Sequence, residues 1–551
     1  MTSSPLSANI AIWEQELQGD PDRHYLLEGL RYGFRITKPH ASIVPAKCQN
    51  YRSATCQDNR ARVEAQIRRE IDLGRYHVTD VPPTSISALG AITKPESSEF
   101  RLIQDCSRPH NVSVNSYAAP DSHSFVTVDR AAKLIQPGSF MCKVDLRQAY
   151  RHVALHPSQY KLTGLQWHFS NNQRPTFLYD TRLPFGASEA VGCFHRITQS
   201  VVRMMRRRVK CDILCYIDDF LIISNSYQAC VESMNILISL LTNIGFTISW
   251  DKCVAPSRQL CFLGIHLDSV SGTMSIPQSK LHEICQTSST WHMKQKATKR
   301  EIQSLIGKIS WISRCVKAIR PVLRSLIDLQ KRLKHSSHHI RIPQYVKADI
   351  RYFMQWCAHF NGVVFFPWDK KPRPDTTVYT DSSLTAGAAF CNGDFLYSNW
   401  AADMPNIRSE PIFVKELCAV LLAYRRWCRQ WANKTVHVHT DNKGVEWTLR
   451  RGLTRNVTAN CILKEILWLS AYFNITFVVH YINTRDNYLA DLLSRLDNNL
   501  MRVASILSCM GVFILSPFYN ILYHMSPNTY MSLFSCYSGR GTSAGHGGTT
   551  L

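Results

Sequence analysis

Two adjacent aspartates, Asp218 and Asp219, lie between two runs of apolar, strand-forming residues in the segment 213–223. This pattern predicts a β-hairpin that presents two carboxylates at its tip. Ionised carboxylates beside an apolar core are costly unless divalent cations neutralise them, and a phosphate-bearing substrate can bridge such cations. The pair therefore predicts a metal site.

A third carboxylate, Asp145, ends another strand-forming run upstream, residues 141–144. Nucleotidyl transfer needs two divalent ions about 3.5–4 Å apart, held by carboxylates that converge from separate strands. Asp145, Asp218 and Asp219 fit that need. Each aspartate alone is more often a turn residue or a solvated charge, and Asp-Asp pairs are common by chance. The prediction of a metal site therefore depends on all three aspartates occurring together in this context.

Four more acidic residues recur in the last third of the chain. Asp381 and Asp441 each end a strand-forming run, Glu416 lies in a helical segment, and Asp491 opens the last helical segment. Carboxylates from two strand ends and two helices can bind paired divalent ions for in-line cleavage of a phosphodiester. Taken singly, each acid could be a surface charge, and Glu416 could be an ordinary helix charge beside Lys415.

The charge balance and the cysteines limit the class of protein. In 551 residues, 64 Lys and Arg against 41 Asp and Glu leave a formal charge of +23, which predicts a polyanionic partner such as nucleic acid. The 19 cysteines lack Cys-x-x-Cys pairs and are typical of reduced residues in an intracellular protein of the cytoplasm or nucleus. No signal peptide is evident, and the apolar stretch 503–525 contains Pro517, so no membrane partner is expected.

The periodicity of apolar residues divides the chain into segments of different character. A basic amphipathic helix is predicted at 59–73, and a proline-rich link lies at 367–374. The predicted segments are a helical extension at 1–80, an α+β block at 81–275, helices and a linker at 276–375, a compact α/β domain at 376–497, and an apolar, then low-complexity tail at 498–551, disordered or adventitious.

The motifs resemble those of reverse transcriptases. Tyr-Ile-Asp-Asp between apolar strands and Val144-Asp145-Leu146 followed by Ala149-Tyr150 are similar to the palm motifs of that family. Segments 100–105, 183–186 and 262–265 resemble its fingers motif, the loop beneath the templating pair and the hairpin that grips the primer. Segments 13–34 and 304–321 are most similar to DIRS-type retrotransposons, relatives of the Ty3/gypsy lineage. The order of the four C-terminal acids resembles ribonuclease H.

This resemblance, over roughly residues 10–496, implies an α+β fold: a right-hand polymerase of fingers, palm and thumb, then a helical connection and an α/β ribonuclease H-like domain. It implies an RNA-directed DNA polymerase with ribonuclease H activity that copies retrotransposon RNA. Two Mg²⁺ ions would serve each active site, with Mn²⁺ as a substitute. The implied partners are an RNA template, a DNA primer, the RNA–DNA hybrid and deoxynucleoside triphosphates; the sequence gives no oligomeric state.

The resemblance also implies roles for individual residues. The seven acids would be the catalytic metal ligands: Asp145, Asp218 and Asp219 in the polymerase, and Asp381, Glu416, Asp441 and Asp491 in the nuclease. Lys94 and Arg101 would contact the triphosphate, Phe185 and Gly186 would adjoin the nucleotide, and Phe262, Leu263 and Gly264 would contact the primer. Tyr150 would lie under the sugar and exclude a 2′-hydroxyl, although a packed core tyrosine is the alternative. Phe185 departs from the glutamine of retroviral enzymes, so no polar contact follows there.

Basic and histidine-containing segments give weaker predictions. The run Arg203, Arg206, Arg207, Arg208 and Lys210 is of a kind that is usually a solvated face, yet phosphate contact is reasonable beside a polymerase hairpin. The tract at 335–339 resembles a metal-binding segment in composition only, and a flexible loop is predicted. The alternation at 478–482 indicates that the histidine at 480 is a strand residue, not a proton shuttle.

Two alternatives stay open at this point. One is a catalytically silent, retroelement-derived protein that only binds nucleic acid. The other is a pararetroviral polymerase, which would perform both reactions and differ in genomic context.

Overall fold

The computed structural model describes residues 4–93, 100–119, 123–170, 172–359, 361–364 and 375–496. The chain divides into two compact units, Met1–Thr273 and Met274–Leu551. The finer predicted segments stay predictions, and the proline-rich link and the predicted tail at 498–551 lie outside the described residues. Among the helices described, none has the length and apolar character to cross a membrane.

The first unit combines helices with short strands. Its helices are α1 (Pro5–Ala8), α2 (Ile10–Glu16), α3 (Arg23–Tyr32), α4 (Arg52–Thr55), α5 (Gln57–Asp72), α6 (Val128–Leu134), α7 (Ser188–Arg206) and α8 (Tyr227–Asn243). Its strands are β1 (Ala46–Lys47), β2 (Tyr76–Thr79), β3 (Ser85–Ile86), β4 (Ala88–Thr93), β5 (Phe100–Asp105), β6 (Phe140–Asp145), β7 (Gly164–Trp167), β8 (Thr176–Asp180), β9 (Asp212–Tyr216), β10 (Asp219–Ser224), β11 (Val254–Ser257), β12 (Gln259–Phe262) and β13 (Ile265–Asp268).

The strand order of the first unit explains where its acids meet. A four-stranded sheet has the order β11-β6-β10-β9, and a five-stranded sheet has the order β1-β3-β7-β8-β2. Strands β6 and β10 are antiparallel, with Asp219 opposite Asp145. Because residues directly opposite one another in an antiparallel pair are close neighbours, two sequence-distant carboxylates meet at one end of this sheet.

The predicted basic helix is present as α5. Its apolar positions Val63 and Ile67 are fully buried in a cluster with Leu89 and Trp167. These positions are four residues apart, so they lie on one face of the helix while the charged positions point elsewhere. The prediction of an amphipathic helix is confirmed, with a start two residues earlier than predicted.

A buried charge network joins α5 to the five-stranded sheet. The Arg151 guanidinium donates to Glu70 Oε2 at 2.7 Å and to Asp180 Oδ2 at 2.6 Å, and all three residues are buried. Burial raises the pKa of Asp180 despite the opposing charge of Arg151. Loss of one partner would leave a buried charge uncompensated, so this network fixes how the helix sits on the sheet.

The basic run near the end of α7 binds the N-terminal segment. Arg203 pairs with Asp20 at 2.7 Å and with Asp22 at 2.8 Å, and Arg208 pairs with Glu16. The prediction that this run contacts phosphate is therefore wrong for these two arginines, because acidic side chains from the start of the chain already occupy their guanidinium groups.

The second unit contains the remaining elements, beginning with β14 (Thr273–Ser275) at the division between the units. Its helices are α9 (Gln278–Met293), α10 (Lys299–Ile312), α11 (Arg320–Lys331), α12 (Gln344–His359), α13 (Pro405–Arg408), α14 (Ile412–Trp427), α15 (Lys443–Arg451), α16 (Val457–Tyr472) and α17 (Tyr488–Ser494). Its further strands are β15 (Lys296–Thr298), β16 (His339–Arg341), β17 (Val363–Val364), β18 (Thr376–Ser382), β19 (Ala386–Cys391), β20 (Asp394–Asn399), β21 (Thr435–Thr440) and β22 (Thr476–Tyr481).

The last third of the chain forms one mixed sheet with the order β20-β19-β18-β21-β22. Strands β18, β19 and β20 are antiparallel neighbours, whereas β21 runs parallel to β18 and to β22. Val436 and Val438 are fully buried in a core shared with α14 and α16, as alternation along a strand requires. The strand-forming runs before Asp381 and Asp441 are present as β18 and β21, the helical segment at Glu416 is present as α14, and the α+β fold class is confirmed.

Candidate active sites

The tip of the β9–β10 hairpin is a two-residue turn formed by Ile217 and Asp218. Tyr216 lies opposite Asp219, and Ile217 has φ of 57°. A left-handed conformation is unusual for a β-branched residue and strains the backbone. The Leu146 amide donates to the carbonyl of Asp218 at 3.1 Å, which ties the turn to the residue after β6. The strained turn thus projects the carboxylates beside Asp145.

Two lysines adjoin this cluster. Lys252 Nζ donates to Asp145 Oδ1 at 2.9 Å, and Lys143 Nζ lies 3.4 Å from Asp219 Oδ1. The longer contact is an ion pair rather than a hydrogen bond, and Asp219 Oδ1 is a buried oxygen without a hydrogen-bond donor. Neither lysine was predicted from the sequence to belong to the site.

Burial makes these acids harder to ionise. Burial raises the pKa of Asp219 to about 6, with Lys143 opposing the shift and Asp145 adding to it. Burial also raises the pKa of Asp218, and the charge of Asp145 acts in the same direction. Like charges in a partly buried site favour protonation unless cations offset them. The charges of this cluster therefore favour a cation, but among the described residues Asp145, Asp218 and Asp219 do not form a group with one oxygen each within 4.8 Å of the others.

Tyr150, one of the residues predicted to contact the nucleotide, lies near the carboxylates. The Tyr150 ring is 9% exposed and packs 5.1 Å from Phe185 and 5.2 Å from Phe194, measured between ring centroids. Burial raises the pKa of Tyr150 to about 12, with Asp218 contributing. Tyr150 is thus both packed in the core and adjacent to the acidic turn, so the two interpretations of this residue are compatible.

The two predicted triphosphate contacts differ in what the structure describes. Arg101 is exposed on β5, and its charge lowers the pKa of Asp218 against the larger effect of burial. Arg101 therefore lies within electrostatic reach of the carboxylates. Lys94 lies outside the described residues.

The loop containing Phe185 and Gly186 is fixed against β5. The Gln104 amide donates to the Phe185 carbonyl at 3.0 Å, and Asn115 Nδ2 donates to the Gly186 carbonyl at 2.9 Å. A Cβ at Gly186, which has φ of 134°, would come within 1.9 Å of the Gln104 carbonyl oxygen. Only glycine allows this approach, and Phe185 is left 43% exposed beside Tyr150.

The predicted primer hairpin is formed by β12 and β13. Its two turn residues, Leu263 and Gly264, have φ of 50° and 77°. Two successive positive φ angles are the signature of a tight hairpin turn. Phe262 is fully buried, so its ring supports the hairpin, and the exposed surface at the tip belongs to Leu263 and Gly264.

A second carboxylate cluster lies at the end of the mixed sheet. Asp381 is the next-to-last residue of β18, Asp441 follows β21, and Glu416 lies in the first half of α14. One carboxylate oxygen from each lies within 4.8 Å of the others. Because β18 and β21 are parallel neighbours, their carboxyl ends meet at one edge of the sheet, where α14 adds the third acid.

Glu416 is the most strongly perturbed acid of this cluster. It is 5% exposed, and burial followed by the charges of Asp381 and Asp441 raises its pKa to about 9. Its Oε2 is a buried atom without a hydrogen-bond partner. Lys415 does not balance it, since Lys415 Nζ donates to the Leu384 carbonyl at 2.8 Å. The interpretation of Glu416 as a helix charge beside Lys415 is therefore wrong.

The fourth predicted acid lies at the margin of the cluster. Asp491, on α17, raises the pKa of Asp381 and Glu416 but accepts two hydrogen bonds from Arg495, at 2.8 and 3.0 Å. It is not among the three acids whose oxygens lie within ligand distance of one another. Thr484, which sequence reasoning missed, donates to Asp441 Oδ2 at 2.7 Å.

Comparisons with known proteins identify a matching family and similar proteins. Residues 75–267 match the family described as reverse transcriptase (RNA-dependent DNA polymerase). The Tf2-3 transposon polyprotein of Schizosaccharomyces pombe is 22% identical over 393 residues, 70% of this chain and 27% of the polyprotein. The Tf2-7 polyprotein of the same organism is 21% identical over the same length. The chain thus spans 27% of the length of these curated relatives.

One solved structure has a similar fold. It is described as a foamy viral protease-reverse transcriptase dRH in complex with double-stranded DNA, and its TM-score is 0.50 at 14% identity. The match covers 85% of this chain and 81% of that chain. The expected fold, a polymerase followed by a further domain, is therefore confirmed. Residues 75–267 therefore match the reverse transcriptase family, and the chain is similar over 70% of its length to the Tf2 transposon polyproteins.

Proposed function

We propose that this chain is an RNA-directed DNA polymerase joined to a ribonuclease H, encoded by a retrotransposon of DIRS or related type and acting inside the cell. The observation that carries the proposal is the presence of two separate carboxylate clusters. One lies at the end of the β6–β10 pair, where Asp219 is opposite Asp145, and the other combines Asp381, Glu416 and Asp441. Each sits at the end of strands, where a substrate backbone can approach.

Both clusters are candidate sites for divalent cations, and among the described residues the second has the ligand spacing, since Asp381, Glu416 and Asp441 each place one oxygen within 4.8 Å of the others. Each contains a buried carboxylate oxygen without a hydrogen-bond donor, Asp219 Oδ1 in one and Glu416 Oε2 in the other. All-oxygen ligand sets of this kind suit Mg²⁺ and Mn²⁺. Asp145, Asp218 and Asp219 would hold the ions of the polymerase, and Asp381, Glu416, Asp441 and Asp491 those of the nuclease. Bound there, such ions activate the attacking oxygen and stabilise the leaving oxygen of an in-line displacement.

The chain's own residues would position the polymerase substrates. Arg101 is exposed within electrostatic reach of Asp218, where its cation would meet a triphosphate. The Tyr150 ring, held between Phe185 and Phe194, presents an aromatic surface beside the acidic turn, where a deoxyribose fits and a ribose 2′-hydroxyl would collide. The backbone-fixed loop at Gly186 keeps that surface in place.

Charge supports nucleic acid as the partner of the whole chain. A formal charge of +23 favours a polyanion, and contacts to phosphates do not depend on base sequence. An RNA template, a DNA primer and their hybrid have this property. Binding should weaken steeply as salt rises, because each neutralised phosphate releases counterions.

The test follows both reactions in one tube. Purified full-length protein is incubated with a DNA primer on a labelled RNA template, deoxynucleotides and Mg²⁺, and primer extension and RNA fragmentation are measured together. Asp218→Asn should reduce extension by roughly a thousandfold or more while cleavage continues, and Asp441→Asn should do the reverse. The two variants serve as controls for each other, because each keeps one carboxylate cluster intact.

Two outcomes would contradict the proposal. If either substitution abolished both activities in a folded protein, the model of two independent sites would be wrong. If the wild-type chain bound the hybrid in a salt-sensitive manner but performed neither reaction, the protein would be a catalytically silent, nucleic-acid-binding relative.

A further inference from the structure

Three histidines meet on adjacent strands of the mixed sheet. His437 and His439 alternate along β21, and His480 lies on β22 directly opposite His439. One ring nitrogen from each histidine lies within 4.8 Å of the other two. The ring centroids of His480 lie 4.7 Å from His437 and 5.1 Å from His439. Three imidazoles are therefore concentrated at one place on the sheet.

Strand alternation explains why the three rings share a face. Val436, Val438 and Thr440 are fully buried, whereas the two histidines between them are half-buried. Residues two apart on a strand point to the same side, and directly paired residues of parallel strands do likewise. The histidine face is thus opposite the face that packs against the core, and the three residues are half-buried there, with His437 Nε2 itself a buried atom.

The spacing of the nitrogens suits a tetrahedral ion. His480 Nε2 and His437 Nδ1 lie 3.1 Å apart. Two nitrogens bound to the same tetrahedral Zn²⁺ at about 2.0–2.1 Å would be roughly 3.3–3.4 Å from each other. A small rotation of either ring gives this separation. Without an ion, one of the two nitrogens must donate a proton to the other; with an ion, both can direct lone pairs at it.

The ligand type distinguishes this cluster from the carboxylates. Neutral imidazole nitrogens favour borderline-soft ions such as Zn²⁺, Cu²⁺ and Ni²⁺, whereas carboxylates favour Mg²⁺ and Mn²⁺. A set of three histidines leaves the fourth position of a tetrahedron for water or another ligand. The two clusters would therefore take different ions from the same solution.

We propose that His437, His439 and His480 bind one transition-metal ion of the Zn²⁺ class at a site distinct from the carboxylate clusters. The ion would join β21 to β22 through side chains in addition to the backbone hydrogen bonds. The site does not depend on either proposed activity, since its ligands are separate from the seven acids.

The test uses Co²⁺ as a spectroscopic probe in place of Zn²⁺. Full-length protein is freed of metal with a chelator, returned to buffer with excess Mg²⁺, and titrated with Co²⁺ while visible absorption is recorded. Tetrahedral nitrogen coordination should give an intense visible band that saturates at one ion per chain and disappears when equimolar Zn²⁺ is added. Weak octahedral absorption alone would overturn the proposal, whatever the outcome of the polymerase and nuclease assays.

Variants locate the ion. His437→Gln and His480→Gln should each weaken binding by roughly tenfold or more. The matched control is the double variant His335→Gln, His338→Gln. The ring centroids of these two histidines also lie close together, at 4.8 Å. Among the described residues, however, they belong to no group of three metal ligands. The control should retain the band, and so should Asp441→Asn. A band that survives in His480→Gln, or is lost in Asp441→Asn, would place the ion elsewhere.

Discussion

Each unit carries a carboxylate cluster, and the two clusters keep like charges together in different ways. In the first unit, lysines stand beside the acids: Lys252 Nζ lies 2.9 Å from Asp145, and Lys143 Nζ lies 3.4 Å from Asp219. In the second unit, burial keeps Glu416 protonated at neutral pH, because its pKa is raised to about 9. One cluster is balanced by cations, and the other reduces its charge by retaining a proton.

The difference affects how each cluster responds to its surroundings. Lysine counter-charges remain over the whole neutral range, so they tolerate a change of pH. A retained proton is lost as pH rises, so a cluster that depends on it becomes increasingly repulsive in the absence of a cation. The proposed nuclease site should therefore be the more dependent on bound metal for its stability.

The largest expected effect is a pH dependence confined to the second unit. Unfolded glutamate ionises near its ordinary pKa of 4.5, whereas Glu416 in the folded chain has a pKa of about 9. Between those values the folded state holds an extra proton, so stability falls as pH rises, by at most about 1.4 kcal/mol per pH unit. For Asp219, with ordinary and folded values of 3.8 and about 6, the same loss ends about one pH unit above the folded value, so at higher pH the loss continues only through Glu416.

Hydrogen exchange measured in the presence of a metal chelator can distinguish the pH dependence of the two clusters. Between about pH 7 and 8.5, after correction for the intrinsic exchange rate, protection should fall in residues 412–427 and stay constant in residues 212–224. Glu416→Gln, which cannot ionise, should remove that dependence and is the matched control. Equal losses in both segments, or an unchanged slope in Glu416→Gln, would contradict the comparison.

A smaller effect is expected from the hydroxyl that orients Asp441. Thr484→Val keeps the shape of the side chain and removes the 2.7 Å hydrogen bond to Asp441 Oδ2. Partners that orient a metal ligand typically contribute about tenfold to a hundredfold, so RNA cleavage should fall by roughly tenfold while extension is unchanged. Steady-state cleavage rates test this. Thr484→Ser should restore cleavage, and failure of the serine variant would mean that packing, not the hydrogen bond, is responsible.

The smallest effect is expected from Lys252, which is largely exposed. Lys252→Met removes the ion pair with Asp145, and in chelator at neutral pH it should lower stability by less than about 1 kcal/mol. Excess Mg²⁺ should abolish the difference from wild type, and Lys252→Arg should behave as wild type. Denaturant unfolding of wild type and the two variants measures this difference in stability. A loss that persists in Mg²⁺ would show that the lysine does more than balance charge.

The sequence was sufficient to predict the elements that follow from local patterns. Two runs of apolar, strand-forming residues predicted the hairpin at Asp218 and Asp219, and helical spacing predicted the helix that the structure places at Gln57–Asp72. Both features depend on residues close together in the chain. The residues that hold the acids in place do not: Lys252 is 107 positions from Asp145, and Thr484 is 43 positions from Asp441.

The same reason explains the wrong prediction for the basic run. From the sequence, Arg203 is expected to be a solvated or phosphate-binding cation, because its acidic partner, Asp20, is 183 positions away and no local pattern connects the two. Nor does any pattern predict the left-handed backbone of Ile217, because β-branched residues disfavour that conformation and tertiary contacts impose it. Single-sequence reasoning finds acids at strand ends but not the long-range contacts that tune them.

The N-terminal helices have a practical consequence for producing the protein in fragments. Leu6, Trp13 and Phe34 belong to the same buried cluster as Val144 and Phe220, and Trp13 Nε1 donates to the Ile244 carbonyl at 3.0 Å. The family match begins only at residue 75. An expression fragment trimmed to that match would uncover the apolar surface that these residues cover, and it should aggregate where a fragment starting before Leu6 remains soluble.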